Sequence, residues 1–332
     1  MYRFSLFSLI LLLAVILCRG ADREVVIVNP GEGTSLAGTL STPAGKAKAA
    51  LVLATGSGQQ DRDETVFGHK PFKAIAERLS ENGYAVLRLD DRGVGGSTGP
   101  TENLTTANFV ADIGYAMHWL DSTLVDVPVG VLGHSEGAQI AYRIAAQDSL
   151  CRFIVTLAGP AWRGDSLVMA QCRALSVGAT GRWDGEASQR TILDVAMSNM
   201  PESAARLVIM AEIAKTMGNA SSMPQMQQFI MTQTNLVLLP WYREFLRYDP
   251  EDDIRLVKVP WLALNGDKDT QVPSANLVTI ADLCPTARTE LLPDHNHLFQ
   301  HAVTGLPNEY QSIPEDISTE TTDIIISFLN EL

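Results

Sequence analysis

The 332-residue chain is short of positive charge: 25 Lys and Arg stand against 38 Asp and Glu, a formal net charge of −13. A surface that negative lacks the field needed to hold a phosphate backbone, so nucleic-acid binding is excluded as a function. Cysteine is scarce too. Its four copies, Cys18, Cys151, Cys172 and Cys284, match no zinc or CxxC spacing. No His, Asp or Glu cluster has metal-ligand spacing either, so neither metal nor cofactor is expected. Cys151, Cys172 and Cys284 allow at most one disulfide, or remain three thiols packed as small apolar side chains. No Gly-Lys-Ser/Thr follows Gly56 and Gly58, which removes a phosphate-binding loop. Beyond the first twenty residues no apolar run is long enough to span a bilayer, and no internal repeat or low-complexity tract is present.

What is there begins with a leader. Arg3 precedes an apolar run from Leu6 to Leu17, interrupted by Ser8, and Cys18, Arg19 and Gly20 lead into polar sequence at Ala21. Residues 1–20 read as a secretory signal cut before Ala21, giving an exported, periplasmic or secreted protein. A lipoprotein acylated at Cys18 is the alternative, weakened by Leu17 where such signals carry a small residue. The whole chain is 46% hydrophobic and 19% charged, ample for a packed core.

Arg23–Asn29 and Ser35–Leu40 suit two strands of a hairpin around Pro30-Gly31-Glu32-Gly33. Continuous apolar runs then alternate with helical periodicity. Runs at 49–54, 84–89, 127–132, 153–157, 260–265 and 289–292 read as strands, several of them buried on both faces. Helices fall around Phe72–Leu79, Phe109–Leu120, Ile140–Ala145 and Leu277–Leu283, with a closing helix through Ile324 and Leu329. That alternation predicts an α/β fold with a mostly parallel central sheet flanked by helices. Between residues 161 and 255 it stops. This segment keeps helical periodicity and carries eight of the ten methionines, so it is expected to be a helical cap inserted into a core formed by 21–160 and 256–332. Methionines on helices fill cores. If the cap overhangs the active site, they would instead line an adaptable apolar pocket with Trp162, Trp183, Trp241 and Phe245.

The chemistry centres on Gly133-His134-Ser135-Glu136-Gly137. A nucleophilic serine on a sharp strand-to-helix turn needs glycines on either side, because Cβ atoms would crowd the bend. A serine hydroxyl also needs an imidazole to take its proton. Of six histidines, His69 and His118 lie in or beside early helices, His134 sits inside the turn and points away from its neighbour, and His301 falls one turn down a helix. His295 and His297 remain, on the loop after the last strand. His297 is preferred because Leu298-Phe299 can anchor it, with His295 the alternative and expected to be a solvated loop residue if it loses. The base in turn needs a carboxylate to fix its tautomer. Asp269, ahead of Val272-Pro273, is preferred over Asp267, which suits backbone N–H groups in the turn. Donors for the oxyanion of a tetrahedral intermediate would be the backbone N–H of Glu136, next to the nucleophile, and of Ser57, on the glycine-rich loop leaving the first long buried strand. Arg62, between Asp61 and Asp63, and Arg92, after Asp90 and Asp91, are expected to pin loops together.

These segments, Gly56–Glu64, Asp90–Ser97, Gly133–Gly137, Gly266–Pro273 and Asn296–Phe299, span most of the mature chain. Together they resemble the α/β-hydrolase superfamily and are similar to bacterial carboxylesterases related to the serine aminopeptidase-like group. Thr55 departs from the histidine common before the oxyanion glycine. The resemblance implies a serine esterase acting on a small-molecule carboxylic ester through an acyl-enzyme, with Ser135, Asp269 and His297 as its triad and no cofactor. A peptidase or thioesterase would use the same triad. A non-catalytic protein enclosing an apolar ligand is the alternative from a different class.

Overall fold

The computed structural model describes residues 20–332, so the expected leader, Gly20 apart, and Cys18 lie outside the described residues. A hairpin opens the chain, β1 (Ala21–Asn29) and β2 (Thr34–Thr42). On β1 the burial alternates, with Val25 and Ile27 inward and Val26 and Val28 exposed, as an edge strand with one wet face should. Next come β3 (Ala50–Ala54), α1 (Pro71–Glu81), β4 (Ala85–Leu89), α2 (Thr106–Thr123), β5 (Val129–His134), α3 (Glu136–Gln147) and β6 (Ile154–Leu157). Every residue of β3, β4, β5 and β6 is buried, the mark of strands covered by helices on both faces.

From β6 to the next strand the chain is helical. It forms α4 (Gly164–Thr180), α5 (Glu186–Met197), α6 (Glu202–Met217), a 3-10 turn at Gly218–Ser222, α7 (Pro224–Leu238), α8 (Pro240–Arg247) and α9 (Glu251–Leu256). Two βα steps complete the core: β7 (Trp261–Gly266), α10 (Ala275–Leu283), β8 (Arg288–Leu292), α11 (Pro307–Tyr310) and α12 (Thr319–Asn330). Ser318 caps α12 by accepting the Thr321 N–H at 3.1 Å.

The eight strands form one sheet in the order β1-β2-β4-β3-β5-β6-β7-β8. β2 pairs antiparallel with both β1 and β4, and all other pairings are parallel. One apolar cluster lies on each face of the sheet. The first joins α1 and α12 to helices α4 through α8, and the second gathers α2, α3 and α10. Parallel strands deliver their carboxyl ends to one edge, and the loops after β3, β5, β7 and β8 meet there.

The loop pinning expected of the arginines is present. Arg62, after β3, binds Asp90, after β4, through Nε at 3.1 Å and through Nη2 at 2.9 Å. Arg92 reaches Asp112 on α2 at 2.7 Å. Cys151, Cys172 and Cys284 are free thiols.

Candidate active site

Ser135 sits between β5 and α3 with φ 55° and ψ −119°, a conformation rare for any residue with a side chain. The turn is tight enough to demand its glycines. A Cβ on Gly133 would lie 2.0 Å from the Gly137 carbonyl oxygen, and a Cβ on Gly137 would lie 2.0 Å from the Ala54 carbonyl oxygen. The strained geometry lifts the Ser135 side chain clear of the sheet into a cavity of about 280 Å³.

His297 lines the same cavity. Its Nδ1 lies 2.8 Å from Asp269 Oδ2, with the carboxylate fully buried behind the ring. The other oxygen, Asp269 Oδ1, accepts the N–H groups of Gln271 at 2.7 Å and Val272 at 2.9 Å. With both oxygens held, the carboxylate cannot turn away from the imidazole. An acceptor at Nδ1 fixes the proton there and leaves Nε2 free to take another. Among the described residues Ser135 and His297 share no direct hydrogen bond, a looseness common in sites without substrate.

Asp267 accepts a backbone N–H, but from the loop after β8 and not from its own turn: Oδ1 accepts the Asp294 N–H at 2.7 Å. His295 corrects the expectation of a solvated residue. It is fully buried, with Nδ1 2.7 Å from the Pro293 carbonyl and Nε2 2.8 Å from Ser318 Oγ. Both ring nitrogens being engaged, it ties the loop to the start of α12 and has no lone pair to offer Ser135. His301 is not helical but bridges to His295, because the Asn296 side chain folds the loop back by accepting the N–H groups of Leu298 and Gln300.

Ser57 lies on the loop after β3, and Glu136 is the first residue of α3. Among the described residues neither backbone N–H has a hydrogen-bond partner, and the helix dipole adds positive potential at Glu136. The Glu136 side chain is held by hydroxyl and indole donors, the Ser57 side chain among them. Thr106 donates to it at 2.6 Å, and Trp241 Nε1 donates at 2.8 and 3.0 Å to its two oxygens. Burial raises the Glu136 pKa against the pull of these donors.

Two residues nearby were not singled out individually by sequence reasoning. Glu64, at φ 52° and 2% exposed, accepts the Gly56 N–H at 2.6 Å. Its Oε1 also lies 2.9 Å from Nδ1 of His134, whose ring stands 4.7 Å from that of His297. Glu64 falls among the alternating charges after β3, and 70 residues separate it from His134. Asp91 accepts Thr55 Oγ1 at 2.9 Å and the Gln60 N–H at 2.8 Å, and burial pushes its pKa up to about 7.

The far wall of the cavity comes from the helical segment between β6 and β7, chiefly Leu167 and Val168 of α4 and Trp241, Tyr242 and Phe245 of α8. Among the described residues no methionine lines it. Met197, Met210 and Met217 pack against the core while Met200, Met223 and Met231 face outward. Of the four aromatic residues expected there, Trp241 and Phe245 reach the cavity. Trp162 instead bonds Thr279 on α10, and Trp183 packs on the core cluster. His295, His301 and Glu320 present ligand atoms within 4.8 Å of one another, but the engaged nitrogens of His295 do not suit a metal.

Comparison with known proteins agrees with this architecture. Esterase EstD of Thermotoga maritima is 36% identical over 127 residues, which cover 38% of this chain and 31% of that protein. The chain thus spans about a third of the length of that curated relative. An esterase of Pyrococcus furiosus superposes with a TM-score of 0.58 at 16% identity, covering 94% of this chain and 91% of that one. A thermophilic esterase of Thermogutta terrifontis does so with a TM-score of 0.56 at 18% identity, covering 93% and 98%. A family model described as alpha/beta hydrolase fold matches residues 64–302, most of the chain and every strand from β4 to β8. The chain therefore belongs to the α/β-hydrolase fold family.

Proposed function

We propose that the protein is a serine hydrolase that cleaves carboxylic esters through an acyl-enzyme. The observation that carries this reading is the seating of Ser135, on a strained turn, in one cavity with His297, whose Nδ1 is fixed by Asp269 at 2.8 Å. Ser135 Oγ attacks the ester carbonyl while His297 Nε2 takes its proton. Asp269 stabilises the imidazolium that results. The carbonyl oxygen, now an oxyanion, is held by the N–H groups of Ser57 and Glu136. Collapse of the tetrahedral species breaks the bond to the alcohol oxygen, which leaves with the proton from His297. Water repeats the cycle on the acyl-enzyme. No step calls for a metal or cofactor.

The helical segment acts as the cap over this centre. A cavity of about 280 Å³ is at the small end of ligand pockets, which run roughly 300–1,000 Å³. Its walls of Leu167, Val168 and Phe245 suit a short, uncharged acyl group. The apolar run at Leu6–Leu17 supports an exported protein.

The test is an aryl-ester series of increasing acyl length, with matching anilides and thioesters, run on the chain and on Ser135→Ala. Ester turnover falling by about 10⁴-fold or more in a folded Ser135→Ala variant is expected, since removal of a triad member leaves only binding and oxyanion stabilisation. Undiminished turnover, or failure of a fluorophosphonate to label Ser135, would overturn the reading.

A further inference from the structure

His134 is buried, and the atoms facing its ring impose a condition on its protonation. Nδ1 lies 2.9 Å from Glu64 Oε1, and Nε2 lies 2.9 Å from the backbone carbonyl oxygen of His297. A carbonyl oxygen only accepts, and so does a carboxylate. With Glu64 ionised, both ring nitrogens carry hydrogen in these two bonds, which makes His134 an imidazolium and Glu64 its counter-ion. The same Glu64 oxygen also accepts the Gly56 N–H at 2.6 Å, while Glu64 Oε2 is buried without a partner among the described residues. A buried carboxylate with one empty oxygen is stable only beside a compensating charge.

The pair touches three loops. Glu64 holds Gly56, next to the proposed oxyanion donor Ser57. His134 precedes the proposed nucleophile Ser135. The carbonyl it binds belongs to the proposed base, His297. We propose that Glu64 and His134 form a buried ion pair that positions the oxyanion loop, the nucleophile turn and the base loop relative to one another, with His134 doubly protonated at neutral pH. Both line the cavity, but their hydrogen bonds go to loop backbone and to each other, so both are positioning residues, and this role rests on the serine-hydrolase reading.

Other charges near the pair agree with it. Burial works to lower the His134 pKa, but the Glu64 charge, the His297 carbonyl and Asp269 together raise it. Asp91 also feels the Glu64 charge. His297 also faces the ring, at 4.7 Å between ring centroids. Because the folded pKa lies above the ordinary 6.5, the pair's stabilisation is complete below that value and is lost as pH rises through the raised one.

The decisive measurement needs no catalysis: nitrogen-15 NMR of the ring of His134 in the full chain at pH 7. Two protonated nitrogens are expected, together with a strongly downfield Gly56 amide proton. In Glu64→Gln the amide oxygen can still accept from Gly56, but the charge is gone, so one His134 nitrogen should lose its proton. Ester kcat should fall by about 10-fold in Glu64→Gln and by about 100-fold in Glu64→Ala, with KM within about threefold, as for a site misplaced by about an ångström. If Glu64→Ala fails to fold, the wild-type spectrum and Glu64→Gln decide the matter. A ring nitrogen without hydrogen in the wild type, or unchanged kcat in Glu64→Gln, would overturn the proposal. If Ser135→Ala retained turnover, the hydrolase reading would fall, yet the spectrum would still tell whether the ion pair exists.

Discussion

The carboxyl edge of the sheet and the helical segment facing it meet at one cavity but are built from different materials. At the sheet edge the side chains are polar, buried and bound: Asp269 uses both oxygens, and Glu64 and His134 hold neighbouring loops. The helical wall contributes Leu167, Val168 and Phe245, which direct no charge at Ser135. Directional bonds fix the groups that would react, whereas apolar packing only shapes space. Changes on the first wall should therefore alter rate, and changes on the second should alter which substrate is preferred.

The sharpest way to break that contrast is Asp269→Asn. Its amide keeps the volume but presents a donor to His297 Nδ1, stabilising the wrong tautomer, and ester kcat should drop by about 10³- to 10⁴-fold. A loss under tenfold would mean that the sheet edge does not set the rate. Leu167→Ala should do the reverse. Removing a buried side chain from the helical wall should raise kcat/KM for long acyl groups relative to acetyl by about tenfold, with kcat for acetyl esters little changed and a stability loss of about 3 kcal/mol in denaturant titration. Acyl preference that does not move would show that the helical wall does not select. The smallest effect concerns Asp91, whose carboxyl rises from an ordinary 3.8 to about 7 in the fold. Between those values the folded chain binds the extra proton, so stability falls as pH rises through that window. Asp91→Asn carries no such penalty and should raise the melting temperature relative to the parent more at pH 8 than at pH 5. Equal shifts at both pH values would remove Asp91 from the account.

Much of the core was readable because its signals are local. A run such as Ala50–Ala54, apolar at every position, has few ways to be satisfied other than inside a covered sheet. The Ser135 turn was equally plain, although β5 runs on to His134 where the reading ended it at Leu132. Gly133 is thus a strand residue, and its missing side chain leaves the room that Gly137 needs. The loop around His301 misled for the opposite reason: Leu298, Phe299 and Ala302 imitate helical spacing, while Asn296 captures the backbone into a turn. Glu64 could not be separated from its acidic neighbours, since only long-range closure brings it against Gly56 and His134. The methionine-rich stretch announced helices correctly but not which of their faces would look at Ser135.

The φ of 55° at Ser135 has a cost that outlasts any question of substrate. Non-glycine residues held in such regions carry on the order of 1–3 kcal/mol of strain. A glycine at this position would rest easily, so the chain would gain robustness by surrendering its hydroxyl. On the proposed function, durability and reactivity pull in opposite directions at that single residue, and the fold has settled on the less comfortable of the two.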